Sequence, residues 1–445
     1  MVRAALRSLF RRVLELFFRR IEIQGIENVP PSGPTLFAIN HPNALVDPLL
    51  VLCYAPRDVS FLAKEPIFRM PVIGSLARAL DAIPVYRRQD QFDPAKNRET
   101  FARARALLDR GGTIAIAPEG TSHSAPSLKP FKTGAARIAL GSGTALPVQI
   151  VPVGLFYTDK STFRSAVLVC FAPPIPVTPA ALGPDGEPPA ERVAQVTQQL
   201  GAALAAQVVE ADHLEVLEVA ERTERIFGAA LGGARARPLD QVRLTRQRLV
   251  AGYRTLQASD PALLDRLIRQ VDRLEGAFRA AGLDAGRSAP EPIGAAGVLR
   301  ASAWLLFRIG IFLPLALPGL ILHLPAYWLI GRLSPRLAGI NDDVIATIKI
   351  MAAAIFYPLT WIGTGIGVAH WLGPAVGVAT GLVAPLAGYA AVRLVERFGR
   401  FLSGTRALGF SLLDRDRLGR LVAERDRLRA DLEALAPTLG ISLDR

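Results

Sequence analysis

Hydrophobic and polar positions alternate in two different ways along the chain. Between residue 35 and about residue 176, short apolar runs are separated by stretches with apolar residues at helical spacing. The runs 35–40, 59–63, 83–86, 113–117, 150–157 and 166–171 predict strands, and 47–55, 73–80, 97–109 and 134–141 predict helices. Strands alternating with helices predict an α/β fold. Ile21-Glu22-Ile23 suggests one further strand.

Elsewhere the pattern is helical throughout. Residues 2–20 place Leu6, Leu9, Phe10, Val13, Leu14, Phe17 and Phe18 on one stripe, flanked by Arg3, Arg7, Arg11, Arg12, Arg19 and Arg20. Such a helix suits a bilayer interface, where guanidinium groups meet lipid phosphates; the alternative is a helix packed on the neighbouring domain. Residues 190–284 read as helices of mixed charge, bounded by linkers at 173–189 and 285–297. Three long apolar stretches follow. Residues 303–330 contain Pro314, Pro318 and Pro325, which predicts a kinked or re-entrant segment. Residues 344–369 and 372–392 are each about one bilayer long and predict a two-helix hairpin. Residues 411–435 carry leucines among alternating charges, a short coiled coil or a helix returning to the soluble part, too short to fix an oligomeric state. The expected division is therefore 1–24, 25–180, 190–285, 298–395 and 396–445.

Composition agrees with a membrane partner. Half of the 445 residues are hydrophobic, mean hydropathy is +0.29 and net charge is +13. Basicity can serve nucleic acid or anionic lipid. No zinc-finger spacing or RNA-binding aromatic motif is present, and the arginines flank apolar runs, so no nucleic-acid partner is expected and a phospholipid membrane is. Arg332, Arg336, Arg393, Arg397 and Arg400 beside the apolar stretches favour a cytoplasmic face for the charged parts. Cys53 and Cys170 offer neither a disulfide framework nor metal spacing, which suggests a reducing compartment. The N-terminus lacks the apolar core and cleavage site of a signal peptide.

The candidate chemistry lies at strand exits, where α/β folds bind ligands. His41 follows the run 35–40, and Asp47 follows His41. A His held by a carboxylate is a common general base, and a structural His beside a helix-capping Asp is the plainer alternative. Pro118-Glu119-Gly120-Thr121-Ser122-His123-Ser124 follows the run 113–117, with Gly120 allowing a tight turn. Lys129 and Lys132, two of only six lysines, precede a predicted helix, a natural phosphate site. Lys64, Arg87 and Arg88 also sit at strand ends. Pro152 lies inside an apolar run and predicts an edge strand or a bulge.

In order, NHPNALVDP, AIPVYRR, APEGTSHSAPSLKPFKTGAARIAL and VPVGL resemble the four blocks of the PlsC-type glycerolipid acyltransferases, over roughly residues 25–180. The interval from His41 to Asp47 is one residue longer than the family usually has. Ser122-His123 stands where the family usually has an Arg. Both features resemble the branch of fungal microsomal glycerol-3-phosphate and dihydroxyacetone-phosphate acyltransferases. The resemblance implies a glycerol-3-phosphate acyltransferase-like α/β domain with a helical insert and a C-terminal helical membrane region. It implies His41 as general base and Asp47 as its orienting acid. Glu119 would meet the acceptor's hydroxyls, and Arg87 or Arg88 its phosphate, with Lys129, Lys132 or His123 as substitutes for the missing Arg. The oxyanion would be met by backbone N–H groups near Gly120, and Thr121 and Ser122 are expected among the substrate-binding residues. Pro152 belongs to the fourth block. The acyl donor would be acyl-CoA or acyl carrier protein, with no further cofactor and no metal. The acceptor favoured is glycerol 3-phosphate, the alternatives being 1-acylglycerol 3-phosphate or another lysophospholipid, or a non-catalytic lipid-binding protein.

Overall fold

The computed structural model describes residues 2–86, 94–228, 237–281, 283, 295–413 and 415–437. They divide into two units, one of residues 1–214 with 338–347, the other of residues 215–337 with 348–445.

The first unit is built on one sheet. Its strands are β1 (Arg20–Gln24), β2 (Thr35–Ile39), β3 (Ser60–Lys64), β4 (Ile83–Val85), β5 (Thr113–Ile116), β6 (Val148–Tyr157), β7 (Ala166–Phe171) and β8 (Ile175–Val177). The order is β1-β7-β6-β2-β5-β3-β4, with β8 also on β6. All pairs are parallel except β6 with β7 and with β8. Every residue of β2 is buried. A parallel strand covered on both faces has to be continuously apolar, as Leu36-Phe37-Ala38-Ile39 is. The helices are α1 (Val2–Phe17), α2 (Val46–Tyr54), α3 (Glu65–Arg69), α4 (Ile73–Ala79), α5 (Pro94–Asp109), α6 (Gly134–Leu140) and α7 (Ala190–Ala205).

Three features differ from the sequence expectations. The inner side of α1 lies on the α/β unit: Leu14, Phe17 and Phe18 are buried. Arg7 donates to the carbonyls of Cys53 and Ala55, Arg3 reaches Val59 O and Asp81, and Arg11 lies 4.8 Å over the Tyr54 ring. These arginines reach backbone carbonyls, Asp81 and a ring, while Val2, Leu9 and Leu16 on the outer side stay exposed. Helix α7 places Val193, Val196 and Leu200 in the same core as Ile138 and Ile150, so this unit runs past residue 180. Pro152 sits on a central strand, not an edge. It falls where the partner of β6 changes: Val151 and Pro152 face a segment one residue longer, Ala172-Pro173-Pro174, which puts the bulge on the facing chain.

The second unit contains α8 (Leu214–Gly228), α9 (Leu239–Ser259), α10 (Pro261–Ala280), α11 (Ala295–Ala338), α12 (Ile345–Leu372), α13 (Pro374–Leu413) and α14 (Arg415–Leu435). Leu264, Leu267, Val271 and Leu274 of α10 form an apolar core with Ile226, Leu256, Leu421 and Leu428. Among the described residues, Leu313–Ala338, Asp342–Leu372 and Pro374–Phe398 are long and apolar enough to cross a membrane, and hardly any residue of the second is fully buried. Surfaces this apolar need lipid around them, and the chain is an integral membrane protein. The segment 303–330 lies within one continuous helix, α11, with Pro314, Pro318, Pro325 and Pro335 inside it, so it does not take the re-entrant form. Each proline removes a single backbone bond, and with no water to compete for the freed carbonyl the helix continues. Close approach replaces large side chains between the helices: a Cβ on Gly319 would lie 2.1 Å from Ala387 O, and one on Gly377 2.4 Å from Gly365 O.

Candidate active site

Strand β2 ends at Ile39, and Asn40 prolongs its ladder with its side chain. Asn40 Nδ2 donates to Leu155 O at 3.1 Å, and Leu155 N–H donates to Asn40 Oδ1 at 2.7 Å. This buried two-way bond fixes the peptide before His41. The loop then doubles back through Ala44, a non-glycine residue at φ 36, and α2 begins. The longer His-to-Asp interval is taken up in this turn, and Asp47 enters the first turn of α2, where the helix dipole favours a carboxylate.

His41 and Asp47 meet. His41 Nδ1 lies 2.9 Å from Asp47 Oδ2, and the Asp47 side chain is wholly buried while the imidazole is 22% exposed. A carboxylate only accepts, so Nδ1 carries the proton and Nε2 carries the lone pair. Among the described residues, Nε2 has no hydrogen-bond partner. Asp47 is held by two more donors. Asn43 N–H reaches Oδ2 at 2.7 Å, and the Tyr157 hydroxyl donates to Oδ1. Burial, and next the Asp47 charge, push the Tyr157 hydroxyl well above the ordinary tyrosine range, so it stays protonated as a donor.

The second motif loop is tied to the first through the backbone of His41. His41 N–H donates to Glu119 Oε1 at 3.1 Å, and His123 N–H donates to His41 O at 3.1 Å. Glu119, 3% exposed, also accepts from Lys129 N–H at 2.9 Å and from the His123 ring at Nε2. Ala125 N–H donates to His123 Nδ1 at 3.1 Å. Both ring nitrogens of His123 are therefore engaged, and Glu119 serves three protein donors. Gly120 turns the loop at φ 73, with its N–H on Ala117 O at 3.0 Å. A Cβ there would lie 2.5 Å from Lys132 Nζ, so the absent side chain is what lets that ammonium close over the turn. Thr121 Oγ1 donates to Ser122 O. Among the described residues the backbone N–H groups of Thr121 and Ser122 make no hydrogen bond. Lys129 and Lys132 are exposed.

The sequence-predicted residues His41, Asp47, Glu119, Gly120, Thr121, Ser122, His123 and Lys132 are thus gathered at the C-terminal ends of the adjacent strands β2 and β5. Pro152 pairs with Ala38 within the sheet and supports β2 from behind. Arg87 and Arg88 lie outside the described residues. Tyr157, Asn40 and Asn43 are site residues that sequence reading passed over. Tyr157 carried a signal, a polar group ending the apolar run 150–157.

Residues 20–155 match a family model described as Acyltransferase. Those residues are an acyltransferase-family domain. The chain is similar to glycerol-3-phosphate O-acyltransferases 1 and 2 of Saccharomyces cerevisiae, 25% and 24% identical over 82% and 80% of this chain. It spans about three-fifths of their length, 61% and 63%. Over 32% of the chain it is 33% identical to the chloroplastic 1-acyl-sn-glycerol-3-phosphate acyltransferase BAT2 of Brassica napus, covering 39% of that protein. Among solved structures it is similar to the 1-acyl-sn-glycerophosphate acyltransferase PlsC of Thermotoga maritima, at 21% identity and TM-score 0.34, over 45% of this chain and 76% of that one. The matched acyltransferase domain contains His41, Asp47 and Glu119, the residues the two loops bring together.

Proposed function

We propose that the protein is a membrane-bound O-acyltransferase that moves a fatty acyl group from a thioester, acyl-CoA or acyl-acyl carrier protein, to a hydroxyl of glycerol 3-phosphate in phospholipid synthesis. The observation that carries this reading is the His41–Asp47 pair, with Nε2 open beside a turn that offers backbone N–H groups and an ammonium. His41 Nε2 takes the proton of the acceptor hydroxyl as its oxygen attacks the thioester carbon. Asp47, held by Asn43 and Tyr157, stabilises the imidazolium. General-base help of this kind contributes roughly 10²–10⁴-fold. The tetrahedral oxyanion is met by the Thr121 and Ser122 N–H groups. When the C–S bond breaks, the imidazolium returns its proton to the leaving thiolate, and ester and thiol result. No serine or cysteine nucleophile takes part.

Lys132 and Lys129 hold the acceptor phosphate, with Arg87 or Arg88 as a planar donor fork. Full use of its ring nitrogens removes His123 from that set. Glu119 holds the His41 peptide, and its remaining acceptor capacity meets the acceptor's hydroxyls. The catalytic unit faces the cytoplasm, where thioester donors are supplied, in keeping with the arginines flanking the apolar helices. The yeast relatives and the longer His-to-Asp interval favour glycerol 3-phosphate over 1-acylglycerol 3-phosphate as acceptor.

Membranes containing the protein, given acyl-CoA and labelled glycerol 3-phosphate, are expected to form labelled 1-acylglycerol 3-phosphate. Product only from 1-acylglycerol 3-phosphate would move the acceptor to the second choice. Product from neither, with either donor, would refute the proposal.

A further inference from the structure

The turn between β6 and β7, residues 158–165, meets the candidate active site from a stretch that none of the four motif blocks covers. Lys160 reaches both motif loops. Its carbonyl accepts Asn43 Nδ2 at 2.9 Å, and its ammonium donates to Ser124 Oγ. Asn43 is wholly buried, and its N–H holds Asp47 Oδ2 at 2.7 Å. Backbone bonds among His41, Glu119 and His123 already join the two loops. Lys160 adds a tie further along each of them, just past His41 on one and just past His123 on the other.

The turn that carries Lys160 is itself fixed. Asp159 Oδ1 accepts the N–H groups of Ser161 at 2.9 Å and Thr162 at 3.0 Å, and its Oδ2 accepts the Thr162 hydroxyl at 2.6 Å. Arg164 anchors the far end of the turn on α1. Its guanidinium donates to Glu15 O at 3.2 Å and Leu16 O at 3.0 Å, and its N–H donates to Phe17 O at 2.7 Å. These carbonyls belong to the last turn of α1, where a helix cannot satisfy its own acceptors. Arg164 makes the bonds at φ 67, a left-handed backbone that neighbouring contacts have to support.

Resting on the acyl-transfer reading, we propose that the β6–β7 turn braces the active site, and that Lys160 is its positioning residue. The base stands on the first loop, and the Thr121 and Ser122 N–H groups stand on the second. One thioester carbon has to meet both, so the spacing of the loops decides whether the attacking hydroxyl and the oxyanion are served together. The Lys160 carbonyl sets the first loop through Asn43, and the Lys160 ammonium sets the second through Ser124. The end of α1, held by Arg164, is the fixed point against which the brace acts.

The test uses the full chain in membranes. Lys160→Met keeps an unbranched side chain and removes the donor, and Ser124→Ala removes the acceptor. Each is expected to lower kcat roughly ten- to a hundredfold, the scale of a catalytic group displaced by about 1 Å, with both substrate KM values within about twofold. Lys160→Arg, which keeps a cationic donor, restores most of the rate. The Lys160→Met/Ser124→Ala double variant is no slower than the slower single one, as for two residues acting as a unit. Wild-type kcat in Lys160→Met, or losses that multiply in the double variant, beside an inactive His41→Ala, overturns this inference alone. A loss carried by the acceptor KM instead would make Lys160 a substrate ligand and overturn its positioning role. Activity in His41→Ala overturns the reading beneath it. Should Lys160→Met fail to accumulate, Ser124→Ala decides by itself: a wild-type rate there overturns the brace.

Discussion

The Tyr157 hydroxyl donates to Asp47, the carboxylate that holds His41. The two residues are far apart in sequence, and β6 brings them together because it runs beside β2. Tyr157→Phe leaves the ring's packing in place and removes one donor from a wholly buried acid. Leaving a buried acceptor short of a partner costs about 1–3 kcal/mol, so the variant melts at a lower temperature. With one donor fewer, Asp47 holds the imidazole less firmly, and kcat is expected to fall severalfold while both substrate KM values stay near wild type. Unchanged melting and unchanged kcat would remove Tyr157 from the support of the His41–Asp47 pair.

Lys132 and Gly120 make a second pair. Lys132→Ala is expected to raise the acceptor KM and leave the acyl-donor KM unchanged, since the ammonium closes over the turn proposed to receive the phosphate. Gly120→Ala puts a side chain where φ is 73 and where Lys132 Nζ stands 2.5 Å away. Left-handed backbone costs a non-glycine residue roughly 1–2 kcal/mol, and the ammonium is displaced as well. Steady-state kinetics should show both variants failing on the acceptor. A defect confined to the donor would place the phosphate elsewhere.

Much of this arrangement was legible in the sequence, and the exceptions share a cause. Parallel strands buried on both faces are runs of apolar residues, so β2, β5 and β6 stood out, and polar motifs marked the exits of β2 and β5. What could not be read was which distant residue reaches which loop. Tyr157 is an ordinary residue until the sheet order sets β6 beside β2. The segment 338–347 reads as a short link between apolar helices, and nothing local marks it as folding with the α/β unit. The amphipathic pattern of α1 was plain, but a pattern names the buried stripe and not its partner; Leu14, Phe17 and Phe18 meet protein. For α11, the prolines allow either a re-entrant turn or a continuous helix, and the apolar setting keeps the helix unbroken.

Cys53 offers a test of burial beneath α1. Burial raises its thiol from an ordinary 9.0 to about 11, against the lowering effect of Arg7 and Arg11. The folded value lies above the unfolded one, so the contribution to stability is fully present below about pH 9 and is lost as pH rises through about 11. Mapping of alkylated peptides should show Cys53 unmodified by iodoacetamide at neutral pH in the native protein and modified after denaturation. Rapid native labelling would mean that α1 does not stay packed over α2.

Among the apolar helices, Trp361 Nε1 donates to His323 Nε2 at 2.8 Å, while His323 Nδ1 faces Gly319 O at 2.7 Å. A Cβ on Gly388 would lie 2.7 Å from the same ring. One imidazole therefore joins α11, α12 and α13 with both its nitrogens in use. Trp361→Phe should weaken the helices' association by about 0.6–1.7 kcal/mol, the range of interhelical hydrogen bonds in lipid, and Gly388→Leu by more. Thermal unfolding in detergent measures both, and unchanged melting in both variants would show the three helices to be held by other contacts.

The account as a whole turns on His41 as the base that makes an acceptor hydroxyl nucleophilic. The most direct measurement is the initial rate of acyl transfer to glycerol 3-phosphate by membranes holding equal amounts of wild-type protein and of His41→Ala. Loss of roughly 10²–10⁴-fold in kcat, the worth of a general base, is the predicted result, and equal rates would contradict it.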